Sequence, residues 1–323
     1  MSLRVLFLGG AGMIGSAAAA QVVADGHELT IVTRNEPRRA VPAEARQLRA
    51  DVYDVAALAD VLGGQEHDAV VNWVGYSPAQ LAGHPELFAG TGQYVFISTC
   101  SVFARPVPQL PVTESSPRRQ PGFGYARDKI ACEEFLAAAY RDAGFPLTIV
   151  RPFHTYDETV VPVLAGWTAI DRMRRGRPAV VHGDGTSLWT LMHAGDFARA
   201  FVPLLANAHA IGESVNVTSG DILTWDQIHL ALAAAAGVAQ PVLAHRASET
   251  IARAWPSWAD VLEHDFRHSM LFDPSKLARL APEFRPRMTF SAGARAIIQY
   301  HDGDPGRRRV DPALDAAFDR LLR

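Results

Sequence analysis

The chain opens with Leu3-Arg-Val-Leu-Phe-Leu-Gly-Gly-Ala-Gly-Met-Ile-Gly15, an apolar run of strand length that meets regularly spaced glycines. An alanine-rich segment of helical character follows, from Met13 to Ala24. A strand that turns directly into a helix offers unpaired backbone N–H groups and the positive end of a helix dipole, which together suit a phosphate. Gly9 permits the tight turn, Gly12 the approach of a pyrophosphate, and Gly15 the packing of helix on strand. The stretch predicts a dinucleotide-binding turn, although such turns also occur without a ligand.

Composition is that of an ordinary globular protein. The chain has 323 residues, a formal net charge of -3 at pH 7, 48% hydrophobic and 20% charged residues. This balance gives no overall electrostatic case for nucleic acid or an anionic membrane as a partner. The two cysteines, Cys100 and Cys132, do not resemble a disulfide framework, and no signal peptide or membrane-spanning run is apparent. We therefore expect a cytoplasmic protein of one large or two modest domains.

Alternating strand and helix patterns predict an α/β fold with a doubly wound parallel sheet of the Rossmann type. Further strands are expected at 28–33, 46–50, 69–74, 94–98, 147–151 and 215–218, and helices at 55–62, 125–143, 160–175, 196–206, 225–236 and 311–322. We expect residues 1–155 to form the nucleotide-binding domain. Residues 156–323 should form mainly a smaller C-terminal substrate domain, with segments near 190–220 returning to the first.

Charged residues stand at the ends of the second and third strands. Arg34 ends the second, with two more arginines close behind. An NAD-binding fold usually carries a carboxylate there for the ribose 2′-OH, whereas arginine suits a 2′-phosphate. The sequence thus favours NADP and leaves NAD possible, although arginines are also common in solvated loops. Asp51 is the better ligand for the adenine amino group, and Asp54 the better cap for the helix that follows.

Tyr125 and Lys129 lie four residues apart on a predicted helix, so their side chains share one face. A phenol with a pKa of about 10 exchanges protons poorly at neutral pH, and a neighbouring cation lowers that pKa. Exposed Tyr–Lys pairs are common. This pair, however, follows a dinucleotide turn and a Ser/Thr-rich strand end at 97–103, and that combination predicts a catalytic role.

In combination, these features resemble the short-chain dehydrogenase/reductase superfamily, in its extended branch of the NAD-dependent epimerase/dehydratase type. The matching motifs, spread over essentially the whole chain, are Gly9-x-x-Gly12-x-x-Gly15, Asp51, Ser98–Phe103, Tyr125-x-x-x-Lys129, Arg151-Pro152 and His193-x-x-Asp196. The resemblance implies that Thr99 holds the reacting oxygen and that Tyr125 is the acid/base. It implies that Lys129 binds the nicotinamide ribose and lowers the tyrosine pKa. The implied cofactor-binding residues are Gly9, Gly12, Met13, Ile14, Gly15, Arg34, Asp51, Val52 and Lys129.

Departures from the family pattern weaken the case for a nucleotide-sugar substrate. Trp189 stands where the family has an arginine that grips a diphosphate, and a second such arginine has no obvious counterpart, although Arg267 is nearby. The short connection 75–93 lacks the long helix of sugar epimerases, which leaves the protein as a monomer or a homodimer. That connection and the stretch 217–227 resemble an atypical subgroup that includes the chloroplast stem-loop-binding proteins. Some members of that subgroup bind RNA and lack the catalytic tyrosine, which this chain retains.

Three residues are expected at the substrate: Cys100, His154 and Trp189. His154 stands where sugar epimerases carry an asparagine, and it either serves the substrate or is a structural histidine held by backbone. Tryptophans concentrated beyond residue 160 fit either an aromatic pocket or core packing. The stretch 263–268 has two histidines four residues apart, for which we expect a helix end or a pocket rim and no metal.

The favoured function is an NADP-dependent short-chain oxidoreductase that acts on a small carbonyl or alcohol by hydride transfer. One alternative is a nucleotide-sugar epimerase or dehydratase with retained NAD(H). A less favoured one is a non-catalytic RNA-binding relative. The expected partner is a small-molecule substrate, with no nucleic acid and no membrane.

Overall fold

The computed structural model describes residues 2–323 and is organised around a parallel sheet. The strands are β1 (Arg4–Leu8), β2 (Glu28–Thr33), β3 (Arg46–Arg49), β4 (Ala69–Asn72), β5 (Tyr94–Ile97), β6 (Leu147–Pro152), β7 (His154–Tyr156), β8 (Ala179–His182), β9 (Leu188–His193), β10 (Ser214–Val217), β11 (Ile222–Thr224) and β12 (Leu243–Arg246). Seven of them form one parallel sheet in the order β3-β2-β1-β4-β5-β6-β10. The order reverses between β1 and β4, where α/β folds bind their ligands. The expected doubly wound sheet is confirmed.

Helices connect these strands and cover the sheet. They are α1 (Met13–Ala24), α2 (Val55–Leu62), α3 (His84–Leu87), α4 (Gly124–Ala143), α5 (Trp167–Arg174), α6 (Ala194–Phe201), α7 (Trp225–Ala235), α8 (Ser248–Ala254), α9 (Ala259–Val261), α10 (Ser275–Leu280), α11 (Phe290–Asp302) and α12 (Pro312–Leu321). The expected cap at Asp54 is present, and a second helix is capped by Thr224. The Asp54 side chain accepts from Ala57 N at 3.0 Å, and Thr224 forms a capping box with Gln227.

Three predicted elements differ from their predicted bounds by two residues or more, each for a local reason. The helix expected at 160–175 begins only at Trp167, because Pro162 lacks a backbone donor and Gly166 has a φ of 52°. Strand β4 ends at Asn72, whose side-chain oxygen accepts from the backbone N–H groups of residues 74 and 75 and turns the chain. The helix expected at 196–206 gives way after Phe201 to a 3₁₀ turn at Val202–Leu204.

The later part of the chain contributes to the main sheet and to a second hydrophobic core beside it. Strand β10 pairs with β6, and α6 packs on α1, so residues from 194 to 217 join the main sheet and its cover. A second hydrophobic core surrounds Trp189 and Trp225 beside the sheet β11-β9-β7 and the pair β12-β8. Among residues 2–323, no helix combines the length and apolar character needed to span a bilayer.

Candidate active site

The glycine turn between β1 and α1 is shaped by close backbone contacts. Gly9 has a φ of 80°, and its N–H donates to Val32 O at 2.8 Å. A Cβ on Gly15 would lie 2.3 Å from Gly10 O, so the helix can approach the turn only with glycine at this position. A Cβ on Gly12 would meet no atom within 4 Å, because Gly12 faces open space at the N-terminus of α1. The turn therefore leaves room for a phosphate next to free backbone N–H groups.

A cavity of about 660 Å³ lies above this turn, at the carboxyl ends of the central strands. It brings together ten residues that the sequence singled out: Gly9, Gly12, Ile14, Gly15, Arg34, Asp51, Val52, Thr99, Tyr125 and Lys129. Met13 does not line it, because its side chain leaves α1 about 100° away from that of Ile14. One cavity thus joins the expected phosphate turn to the expected reacting groups.

Many further lining residues were not assigned to the site from the sequence, although Ser98 and Pro152 belong to motifs that it contains. They are Gly10, Ala11, Val32, Thr33, Asn35, Glu36, Pro37, Arg38, Tyr53, Trp73, Val74, Tyr76, Ile97, Ser98, Pro152, Phe153 and Thr155. Most of them flank strand ends that the sequence located. The available signal was therefore their position beside a carboxyl end, whereas the path of each loop depends on tertiary packing.

At one end of the cavity, Arg34 faces Asp51, with Nη1 3.4 Å from Oδ2. The arginine side chain is 65% exposed, so this long ion pair leaves guanidinium donors free for a ligand. Asp51 also accepts from Tyr53 N at 3.1 Å, and Tyr53 donates its hydroxyl to Val74 O at 2.7 Å. Glu36 brings a carboxylate to the same end, but it is engaged with Arg49.

At the other end, the Lys129 ammonium is held in place by backbone. Nζ donates to Gly75 O and to Ile97 O, both at 2.8 Å, and lies 4.8 Å from the centre of the Tyr76 ring. Burial lowers the pKa of Lys129 to about 8. An ammonium has three donors, so one remains for a ligand in the cavity.

Tyr125 stands on the cavity wall, partly exposed and beside Thr99. Loss of hydration raises the pKa of Tyr125 to about 12, with Tyr76 adding to the rise and the Thr99 side chain opposing it. This direction corrects the expectation that Lys129 lowers the tyrosine pKa. The ammonium is turned toward the carbonyls of Gly75 and Ile97, and desolvation dominates at the phenol.

The three expected substrate residues lie outside the cavity, which corrects their assignment. Phe153 and Thr155 line the cavity, whereas His154 points to the opposite side because successive side chains of an extended segment alternate. Trp189 is 1% exposed, packs on Phe153 with ring centres 4.6 Å apart, and donates Nε1–H to His154 Nδ1 at 2.9 Å. Burial lowers the pKa of His154 to about 4. Cys100 is fully buried and contacts the carbonyl oxygen of residue 151 at 3.1 Å.

The His-containing stretch at 263–268 forms part of a π-helical turn, Leu262–Phe266. Its carboxylate Asp265 is buried against Arg105. Within residues 2–323, no group of three or more His, Cys, Asp or Glu side chains has an arrangement that could hold a metal ion.

Comparison with known proteins agrees with this geometry. The model of the NAD dependent epimerase/dehydratase family matches residues 5–88 and 84–218. The 2′-dehydrokanamycin reductase of Streptomyces kanamyceticus is 29% identical over 296 residues, which is 88% of this chain and 81% of that protein. The chloroplast stem-loop binding protein of 41 kDa b from Arabidopsis thaliana is 24% identical over 257 residues, 75% of this chain and 65% of that protein.

Among solved structures, the dTDP-glucose 4,6-dehydratase of Bacillus anthracis in complex with NAD has the same fold. Its TM-score is 0.74 at 15% identity, covering 94% of this chain and 98% of that chain. Fold, cavity and family model all agree with the motifs at the glycine turn and around Tyr125. The chain therefore belongs to the NAD-dependent epimerase/dehydratase family, the extended short-chain dehydrogenases/reductases, and is an enzyme of the oxidoreductase type.

Proposed function

We propose that this protein is an NADP-dependent oxidoreductase that interconverts a small carbonyl compound and its alcohol. The observation that carries the proposal is the single cavity shared by the glycine turn, Arg34 and the group Thr99, Tyr125 and Lys129. A phosphate subsite at one end and a proton donor at the other match the two ends of a nicotinamide dinucleotide.

The residues of the cavity fit such a cofactor. Gly12 faces open space at the start of a 12-residue helix, where a pyrophosphate finds backbone N–H groups and a favourable dipole. At the other end, the remaining donor of Lys129 suits a ribose hydroxyl. When bound, the nicotinamide supplies or accepts the hydride.

The chain's own residues handle the proton and the orientation. In the reducing direction, Tyr125 donates its hydroxyl proton to the carbonyl oxygen while the carbonyl carbon gains the hydride, so the product is an alcohol. Thr99 holds that oxygen by a hydrogen bond. The phenol is protonated at neutral pH and can therefore donate, but its raised pKa makes it a weaker acid than free tyrosine, so it donates only as negative charge develops on the oxygen held by Thr99.

Charge at the adenine end supports NADP over NAD. The Arg34 side chain is 65% exposed and only loosely paired, and Arg38 lines the same cavity. Glu36 could accept from a ribose 2′-OH, but its carboxylate is paired with Arg49. A 2′-phosphate would therefore meet available guanidinium groups.

Pairing of the arginines argues against a diphosphate in the substrate region. Arg105 is 2% exposed and paired with Asp265, and Arg267 is paired with Glu249 at 2.6 Å. Trp189 is in the core, so it offers nothing to a phosphate. Similarity to a protein named as a reductase of 2′-dehydrokanamycin supports a carbonyl substrate without a diphosphate.

Calorimetric titration with NADPH and with NADH, followed by a panel of small ketones and aldehydes, tests the proposal. We expect tighter binding of NADPH and consumption of NADPH with at least one carbonyl class. The proposal would be overturned if the protein bound neither NADPH nor NADH.

A second candidate is a nucleotide-sugar epimerase or dehydratase, supported by the shared fold of the NAD-bound Bacillus anthracis enzyme. It requires dinucleotide that co-purifies with the protein and turnover of a nucleotide sugar without net consumption of NAD(P)H. Salt-dependent RNA binding without any turnover would instead support a role like that named for the Arabidopsis thaliana relative.

A further inference from the structure

A buried ion pair links the C-terminal half of the chain to the loop that follows β5. Asp265 Oδ1 accepts from Arg105 Nε at 3.1 Å and from Nη2 at 2.8 Å, and the two side chains are 5% and 2% exposed. The other carboxylate oxygen accepts from Ser101 Oγ at 3.0 Å. Ser101 is two residues after Thr99, so Asp265 holds the segment that delivers Thr99 to the cavity.

The same π-helical turn also contacts the loop that leads into α4. Gln120 Nε2 donates to His264 O at 3.3 Å and to Phe103 O at 2.8 Å. A Cβ on Gly122 would lie 2.2 Å from His264 Cε1, so the imidazole packs directly on this glycine. Gly122 is three residues before Tyr125, so the turn also supports the segment that delivers the phenol.

Core side chains hold the π-helical turn in place. Its last carbonyl, Phe266 O, accepts from Trp225 Nε1, Ser187 Oγ and His182 Nε2, each at 3.2 Å. The Phe266 ring stacks on His154 with centres 5.6 Å apart. A π-helical turn is rare and frequently marks a functional site. Here it gives the Asp265 carboxylate a rigid base.

We infer that Asp265 is a positioning residue: it ties the loop of Thr99 to the turn Leu262–Phe266, and His264 of the same turn packs on the loop of Tyr125, so the turn sets the distance between Thr99 and Tyr125. The inference rests on the proposed function of Thr99 and Tyr125. Burial is the main reason for the raised pKa of Tyr125, and the charge of Asp265 adds to the rise, which brings the carboxylate within electrostatic range of the phenol. Asp265 touches neither substrate nor cofactor in this role and acts through the loops.

The test compares Asp265→Asn and Ser101→Ala with the control Asp315→Asn. Asp315 pairs with Arg172, which is 1% exposed, and lies on the distant helix α12, so the control also deprives a buried arginine of a carboxylate. Hydrogen exchange, dinucleotide affinity and steady-state kinetics are measured on each protein. Ser101→Ala leaves the ion pair intact and serves if Asp265→Asn does not fold.

We expect faster hydrogen exchange in residues 97–105 and 118–127 of both test variants. Neither segment should change in the control. Asp265→Asn should lower kcat about 10- to 100-fold with dinucleotide affinity unchanged, because a small displacement of the reacting groups slows the reaction strongly. Unchanged exchange in both segments, or unchanged kcat, would overturn the inference. If wild-type protein binds no dinucleotide, the proposed function fails, while the exchange measurement still decides the tie between the loops.

Discussion

Arg34 Nη1 lies 3.4 Å from Asp51 Oδ2, at the point where the ends of two neighbouring strands meet the cavity. The two residues were expected to serve the phosphate and the adenine of one cofactor, and they face each other in the folded chain. Their separation is too long for a strong hydrogen bond, and the arginine remains 65% exposed. An incoming 2′-phosphate can therefore recruit the guanidinium without breaking a tight pair.

Arg34→Ala should lower the affinity for NADPH about 10- to 100-fold and leave the affinity for NADH nearly unchanged, because one charge-assisted phosphate contact is lost. Calorimetric titration with both dinucleotides checks this. Arg46→Ala is the control, since Arg46 is the first residue of β3 and lies at the amino ends of the strands, away from the cavity. Equal losses for the two dinucleotides would contradict the 2′-phosphate contact.

Gly12→Ala and Gly15→Ala should separate binding from folding. A methyl group on Gly12 enters open space where the pyrophosphate belongs, so dinucleotide affinity should fall while the melting temperature stays nearly constant. A methyl group on Gly15 collides with Gly10 O, so Gly15→Ala should lose about 1–3 kcal/mol of stability. Thermal melts and dinucleotide titrations on both variants give the answer. The reverse pattern would show that the turn does not hold a phosphate.

Tyr125→Phe should lower kcat about 10²- to 10⁴-fold with little change in dinucleotide affinity, because the variant loses only the proton donor. Tyr140→Phe, an exposed tyrosine on the same helix, is the matched control and should retain kcat. Steady-state kinetics with NADPH and the best carbonyl substrate provide the comparison. A Tyr125→Phe enzyme of normal kcat would remove the tyrosine from the mechanism.

His154 should make the protein sensitive to acid. Burial lowers its pKa from 6.5 to about 4 in the folded state, so between these values the unfolded chain binds a proton that the folded chain does not. The contribution of neutral His154 to the free energy of unfolding is fully present above pH 6.5 and falls as the pH drops toward 4. His154→Asn keeps an acceptor for Trp189 and cannot titrate.

Wild-type protein should therefore lose about 2 kcal/mol more than His154→Asn between about pH 7 and about pH 5. Urea denaturation of both proteins at the two pH values measures this difference. His182, whose pKa is also lowered to about 4, is common to both proteins and cancels in the comparison. Parallel pH dependence of the two proteins would show that His154 is not buried as a neutral ring.

The sequence by itself determined the glycine turn, the strands of the main sheet, the Asp54 helix cap and the shared face of Tyr125 and Lys129. These features depend on residues within a few positions of one another. Glycine spacing, apolar runs and the four-residue helical repeat impose them wherever the chain goes next. Eight of the ten predicted residues that meet in one cavity follow a strand end by at most seven positions, and parallel strands bring those ends to one edge, whereas Tyr125 and Lys129 lie on the first two turns of α4.

Only the tertiary structure decided which neighbours of those residues face solvent. His154 and Trp189 were expected at the substrate, and they pack into a core because Phe153 and Thr155 take the side facing the cavity. The pairing of Arg105 with Asp265 joins residues 160 positions apart. Desolvation and charge pairing of this kind arise from long-range packing, which no local pattern encodes. Local spacing thus specified the cofactor end of the site, whereas long-range packing specified the substrate end.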